Sequence, residues 1–134
     1  MKRVQAILVL LIGAGAICVA SGMDRWSALS MLESGNNDQA IGPLGEVSRF
    51  QIRPHLWPGG NPQDMQIALS AAQKIMQQRI EAFQKTHNRP PTDFEFYVLW
   101  NAPVQMDHPS RTVTNRAKRF ENLVRRESSD LASH

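Results

Sequence analysis

Glu33 closes a short apolar stretch, Trp26-Ser27-Ala28-Leu29-Ser30-Met31-Leu32, and its placement invites chemistry more than that of any other side chain. Trp26, Leu29 and Glu33 stand at i, i+3 and i+7, which puts them on one face of a helix. A carboxyl on that face loses hydration, which works toward the neutral acid that a proton donor must be. The plainer alternative is a helix-end glutamate that turns to water. Two amides that could orient a polar substrate follow at Gln51 and Asn101, and either could instead satisfy buried backbone groups. Other chemistries find little footing. His55, His87, His108 and His134 lie far apart, without metal-ligand spacing. Neither a phosphate-cradling glycine loop nor a nucleophile elbow occurs. No cofactor and no metal are expected.

These residues need elements to hold them. Asp24 is suited to cap a first helix, and Gly35 with Asn36 to end it after Glu33-Ser34. Residues 35 to 48 carry Gly35, Asn36, Asn37, Asp38, Gly42, Pro43 and Gly45, and read as loop and turn. Val47, Phe50 and Ile52 allow at most a small strand or hairpin, and Arg53 to Trp57 one helical turn. Asn61-Pro62 is the expected start of a long second helix, with Asn61 as cap, Pro62 at the first position and an end near His87. Ile67, Ala68, Ala71, Ala72, Ile75, Ile80 and Phe83 recur near the helical period, so this helix is expected to form the spine. Thr92-x-x-Glu95 is a capping box. The third helix behind it, carrying Phe94 to Trp100, is apolar nearly all round and should be buried, with Pro103 ending it. A fourth helix is expected from about Ser110 to Arg126. Val113, Ala117, Phe120 and Val124 form its apolar face, and Arg116, Lys118, Arg119, Arg125 and Arg126 cover the remainder. The fold class is therefore mainly α, with very little β.

The 134 residues suit one domain. Lys2 and Arg3, the apolar run Val4 to Ala20 and the small residues Ala20-Ser21-Gly22 form a secretory leader, with an uncleaved membrane anchor as the alternative. The expected division is a leader over 1–22, one domain over 23–127 and a loose tail over 128–134. Either route places the domain outside the cytoplasm, in the periplasm or beyond, and the membrane enters only through the leader. Cys18, the single cysteine, falls within the leader, so the domain must be stabilised by packing alone. Without Lys2 and Arg3 the charge falls from +3 to +1, which argues against a nucleic-acid partner. The basic fourth helix could still touch an anionic polymer. A monomer is expected.

The order of these pieces carries a resemblance. Ala28-Leu29-Ser30-Met31-Leu32-Glu33-Ser34-Gly35 resembles the first motif of the lytic transglycosylase and goose-type lysozyme group, a helix ending in Glu-Ser. Gly45-Glu46-Val47-Ser48-Arg49-Phe50-Gln51-Ile52 resembles that group's second motif, a glycine-rich turn followed by an apolar residue and a Gln. Asn61-Pro62 before a long helix, and Val98-Leu99-Trp100-Asn101-Ala102, are similar to its next two segments. The resemblance covers residues 24 to about 103. It implies a lysozyme-like fold and cleavage of peptidoglycan glycan strands at the β-1,4 bond from N-acetylmuramic acid to N-acetylglucosamine. It also implies Glu33 as the catalytic acid, and Ser34, Gln51 and Asn101 as residues that orient the sugar or the acid. Phe50 and Tyr97 are further cleft residues on the same grounds, although a helical aromatic such as Tyr97 belongs by default to the core.

The group's anhydro-forming chemistry needs one carboxyl, because the muramic acid's own C6 hydroxyl is the second reactant. Plain hydrolysis commonly uses two. Glu46 is the first choice for a second acid and Asp38 the next, and both could equally be solvated loop acids. The chain departs from the group at Ser48 and Pro103, where glycine is frequent, and at Arg49, where an apolar residue is usual. Those departures suit the alternative of a wall-binding protein that keeps the fold without turnover.

Overall fold

The computed structural model describes residues 23–125. The expected leader over 1–22, the tail over 128–134 and the helix end at Arg126 lie outside them. The described residues form four α-helices: α1, Arg25–Ser34; α2, Met65–His87; α3, Asp93–Asn101; and α4, Arg111–Arg125. Two 3₁₀ turns, Pro54–Leu56 and Pro103–Gln105, join them. The fold is mainly α, as the hydrophobic periodicities imply. None of the described helices is long and apolar enough to cross a membrane.

The ends of α1 follow from its sequence. Asp24 Oδ1 accepts from the backbone N–H groups of Trp26 (2.9 Å) and Ser27 (3.1 Å), which otherwise have no partner within the helix. Gly35 ends the helix at φ 65, in the left-handed conformation where a side chain is strained, and its N–H returns to the Met31 carbonyl. Buried Ser30 donates to the Asn36 side chain across this turn (2.7 Å), fixing where the loop departs.

The segment that allowed at most a small strand or hairpin forms no strand. Two isolated antiparallel bridges, Ile41 with Val47 and Val47 with Ile52, hold the loop instead. Val47 and Ile52 exchange both backbone hydrogen bonds, at 2.9 and 2.8 Å, so the chain reverses within Ser48–Gln51. That reversal puts Ser48 at φ 71 and Gln51 at φ 52. Left-handed backbone interrupts a ladder, which is why an alternating pattern here yields bridges and no strand.

The start of α2 is also corrected. Asp64, not Asn61, caps it, accepting from the N–H groups of Gln66 and Ile67 at 2.9 and 3.1 Å. Asn61 instead accepts from Gln63 N–H (3.1 Å), shaping the turn ahead of the helix. The 23 residues of α2 span about 34 Å. They bury only Ala68, Ala71, Ala72, Met76 and Phe83, while Ile67 is exposed and Ile75 and Ile80 are half-buried. Small alanines bring α2 close along one narrow stripe, so it flanks the core and is not its spine.

The hub is α3. Thr92 and Glu95 complete the capping box, and Phe96, Tyr97, Val98 and Leu99 are all buried. This helix packs against α4, α2 and the 3₁₀ turn that follows it, and α1 also leans on α4. Phe96 meets Trp26 edge-on at 5.5 Å and stacks with Phe120 at 5.6 Å, tying α1, α3 and α4 together. Burial of each such side chain contributes about 1.5–3 kcal/mol.

Candidate active site

The C-terminal ends of α1 and α3, the 41–56 loop and the inner face of α4 enclose a groove of about 820 Å³. Glu33, Glu46, Gln51 and Asn101 all line it. Trp100, Arg53, Arg79 and Arg116 also contribute to its wall. Residues up to 83 positions apart in sequence thus face one cavity.

Glu33 sits at the groove with only 9% of its side chain exposed. Its Oε1 accepts the Tyr97 hydroxyl at 2.7 Å and Arg116 Nη2 at 3.2 Å. Arg116 Nε in turn donates to the Tyr97 oxygen at 2.7 Å, so three side chains from α1, α3 and α4 close a ring. Both bonds fall on Oε1. Among the described residues no buried side-chain oxygen lacks a partner, and Oε2 accepts no hydrogen bond from any of them, so it is the oxygen that solvent reaches. One edge of the carboxyl is held and the other is available.

Tyr97, expected as a cleft residue, is corrected to a core one: it is fully buried and packs on Phe120, the default for a helical aromatic. Its hydroxyl reaches Glu33 from behind, and the ring does not line the groove. Burial, followed by the nearby Glu33 charge, pushes the phenol well above its ordinary value. It therefore remains a donor. Arg116 was expected on the solvent face of α4. It follows Val113 by three residues and precedes Phe120 by four, which puts it on the inner face, and the periodicity carried that signal. Burial opposes the Arg116 charge, but the hydrogen bond to Tyr97 and the Glu33 carboxylate outweigh it and hold the guanidinium above its usual range.

Gln51 lines the groove and also takes the backbone-satisfying role considered for it. Its Nε2 donates to the carbonyls of Ala40 (3.3 Å) and Ser48 (3.0 Å), satisfying loop backbone. Those anchors fix the amide, so Oε1 is the free end. Glu46 Oε2 accepts from Leu44 N–H at 2.9 Å. A Cβ at Gly42 would collide with Glu46 Oε2 and lie 2.7 Å from Gln51 Oε1, so both oxygens crowd the same bare Cα. Gly42 therefore lets two acceptors share one corner of the groove, where donors such as hydroxyl or amide N–H groups would be welcome.

Three expected site residues lie elsewhere. Ser34 faces away from the groove. Its hydroxyl donates to the Arg49 carbonyl (2.7 Å) and accepts from Asn37 N–H (3.0 Å), pinning the loop to the end of α1. Phe50 is 2% exposed and meets Trp26 edge-on at 6.3 Å, so it belongs to the core. Asp38 is taken up by Arg49 in a two-pronged pair at 2.6 and 2.9 Å, and that hydrogen bonding holds its carboxyl below the usual range. Asp38 is therefore removed as a second acid. The same pair accounts for arginine at position 49, and Pro103 opens the second 3₁₀ turn, where its fixed φ fits.

Among the described residues no group of three His, Cys, Asp or Glu side chains is arranged to hold a metal. Comparison of the chain with family models, curated proteins and solved structures gives no match.

Proposed function

We propose that the protein is an exported, lysozyme-like enzyme that cleaves peptidoglycan glycan strands, with Glu33 as its single catalytic carboxyl. The observation that carries this reading is the division of labour on Glu33, a groove-lining residue whose Oε1 is gripped by Tyr97 and Arg116 while Oε2 has no partner among the described residues. Oε2 donates its proton to the bridging oxygen of the β-1,4 bond as the muramic acid C1–O bond breaks. The carboxylate left behind then takes the proton of that sugar's C6 hydroxyl as O6 attacks C1. The products are a 1,6-anhydro end and a free sugar hydroxyl, and Glu33 regains its proton. The acceptor corner formed by Glu46 and Gln51 holds sugar hydroxyl or acetamido N–H groups, and Asn101 and Trp100 contact the strand across from it.

The left-handed backbone of Ser48 further supports the reading. Glycine is frequent there in the group that the sequence resembles, and φ 71 is the conformation glycine adopts without steric cost. One observation favours the second reading, a wall-binding protein without turnover. The ion pair from Arg116 treats Glu33 as a fixed anion, which suits binding and not proton donation.

A single comparison separates the two. The mature protein and a Glu33→Gln variant are incubated with purified peptidoglycan, and the soluble products are identified by mass spectrometry. Anhydro-ended fragments that vanish in the variant are expected. Equal binding by both proteins with no products supports the second reading, and neither binding nor products from any wall tested rejects both. Hydrolytic ends in place of anhydro ends would transfer the base role to Glu46.

A further inference from the structure

The groove has a second pole that the proton chemistry does not use. Arg79 of α2 is half-buried, and its Nη1 donates to the carbonyls of Leu99 and Trp100, both at 2.8 Å. Those carbonyls end α3, where backbone acceptors are left over and a cation is favoured. Its Nε and Nη2 make no hydrogen bond among the described residues, and no buried side-chain nitrogen there lacks a partner, so both are reached by solvent. Arg79 lines the groove beside Arg53, which is exposed at the mouth of the 3₁₀ turn Pro54–Leu56. Among the described residues neither arginine has a carboxylate within ion-pair distance. Burial first, and then the charge of Arg53, pull the Arg79 guanidinium below its ordinary range. Two like charges kept together at the wall of a cavity, one of them desolvated, are stabilised by an anion between them.

The groove also holds Glu33 and Glu46, and these repel a dense polyanion. A mostly neutral chain that carries isolated single charges fits both poles. We propose that Arg53 and Arg79 form a carboxylate subsite, and that the strand bound in the groove carries a carboxylate on a sugar near the cleaved bond. The subsite rests on the glycan-cleaving reading and deepens it. On the muramic acid of that strand, the carboxylate that Arg53 and Arg79 hold is either the free lactyl group or belongs to an attached peptide.

The test measures binding in the Glu33→Gln background, which holds the strand uncut, at low ionic strength. Three probes of equal sugar length are compared: a chitooligosaccharide, a peptide-stripped muramyl glycan and a peptide-bearing glycan. The parent should bind at least one carboxylate-bearing probe about tenfold more tightly than the chitooligosaccharide. Arg53 is exposed, so Arg53→Glu should fold normally; it should abolish that preference, bringing the carboxylate-bearing probes to the affinity of the chitooligosaccharide measured on the same variant. Arg53→Lys should keep part of it. Preference for the stripped strand assigns the lactyl carboxylate, and preference for the peptide-bearing strand alone assigns the peptide. An equal preference in Arg53→Glu, or none in a parent that binds chitooligosaccharide, overturns the subsite and leaves the glycan reading standing. Binding of no probe overturns both.

Discussion

Removal of a single oxygen tests the ring around Glu33. Tyr97→Phe keeps the aromatic ring against Phe120 and deletes the hydroxyl that donates to Glu33 and accepts from Arg116, both at 2.7 Å. Each bond involves a charged group, and such bonds contribute about 1.5–3 kcal/mol. Arg116 keeps its direct bond to Glu33 and is exposed enough for water to replace the lost partner, so the two losses do not add in full. The expected cost is about 2–3 kcal/mol. With a urea dependence of about 1–3 kcal/mol per molar, the unfolding midpoint falls by about 1–2 M. Glu33→Gln and the double variant complete a cycle, and residues joined this directly should couple by more than about 1 kcal/mol. A coupling near zero, or a midpoint for Tyr97→Phe within about 0.3 M of the parent, would refute the claim that the hydroxyl holds the acid.

Four other outcomes follow from the structure. The chain holds one tyrosine, so tyrosinate absorbance reports on Tyr97 alone, and the folded protein should stay silent while the urea-unfolded chain titrates near 10. The phenol binds its proton more tightly when folded, so stability should be unaffected by this group below pH 10 and fall as pH rises beyond it, measurable as a declining urea midpoint. Asp64→Ala should cost about 1 kcal/mol in thermal or urea unfolding and exceed the loss from Asn61→Ala, because Asp64 is the residue that caps α2. Gly42→Ala pushes a methyl into Glu46 and Gln51, so glycan binding should weaken at least tenfold while α-helical circular dichroism is retained; unchanged affinity would remove the acceptor corner from the site.

Much of the helical frame could be read from the sequence because its signals are local. Asp24, Gly35, the Thr92 and Glu95 box and the unbroken apolar run of α3 each act within one turn of chain. The cap of α2 was misplaced because Asn61, Pro62 and Asp64 all suit helix starts, and only the turn closed by Asn61 decides among them. Position and apolar company pointed to Glu33. Its partners were harder to find, because Arg116 lies 83 residues away and looks like one more cation on a basic helix. Phe50 misled for another reason: in a tight loop, neighbours in sequence point in different directions. The second motif set Phe50 beside Gln51, yet left-handed turns at Ser48 and Gln51 send Phe50 into the core and Gln51 toward the groove. Ser34, at the end of α1, is taken up by the loop backbone that it pins.

The bond from Arg79 to the end of α3 gives the long helix a role beyond covering the core. Three of the five buried residues of α2 are alanines, with Met76 and Phe83 the large ones, so α2 has less apolar surface to lose than α3, and local opening is expected there ahead of the α3 and α4 core. The same helix carries the guanidinium that closes off Leu99 and Trp100, one residue from Asn101. Lifting α2 therefore frays the groove wall, and a ligand that engages Arg79 clamps α2 in return. Occupancy of the groove and docking of α2 are thermodynamically linked, so the hydrogen-exchange protection of α2 amides serves as a gauge of whether the groove is filled.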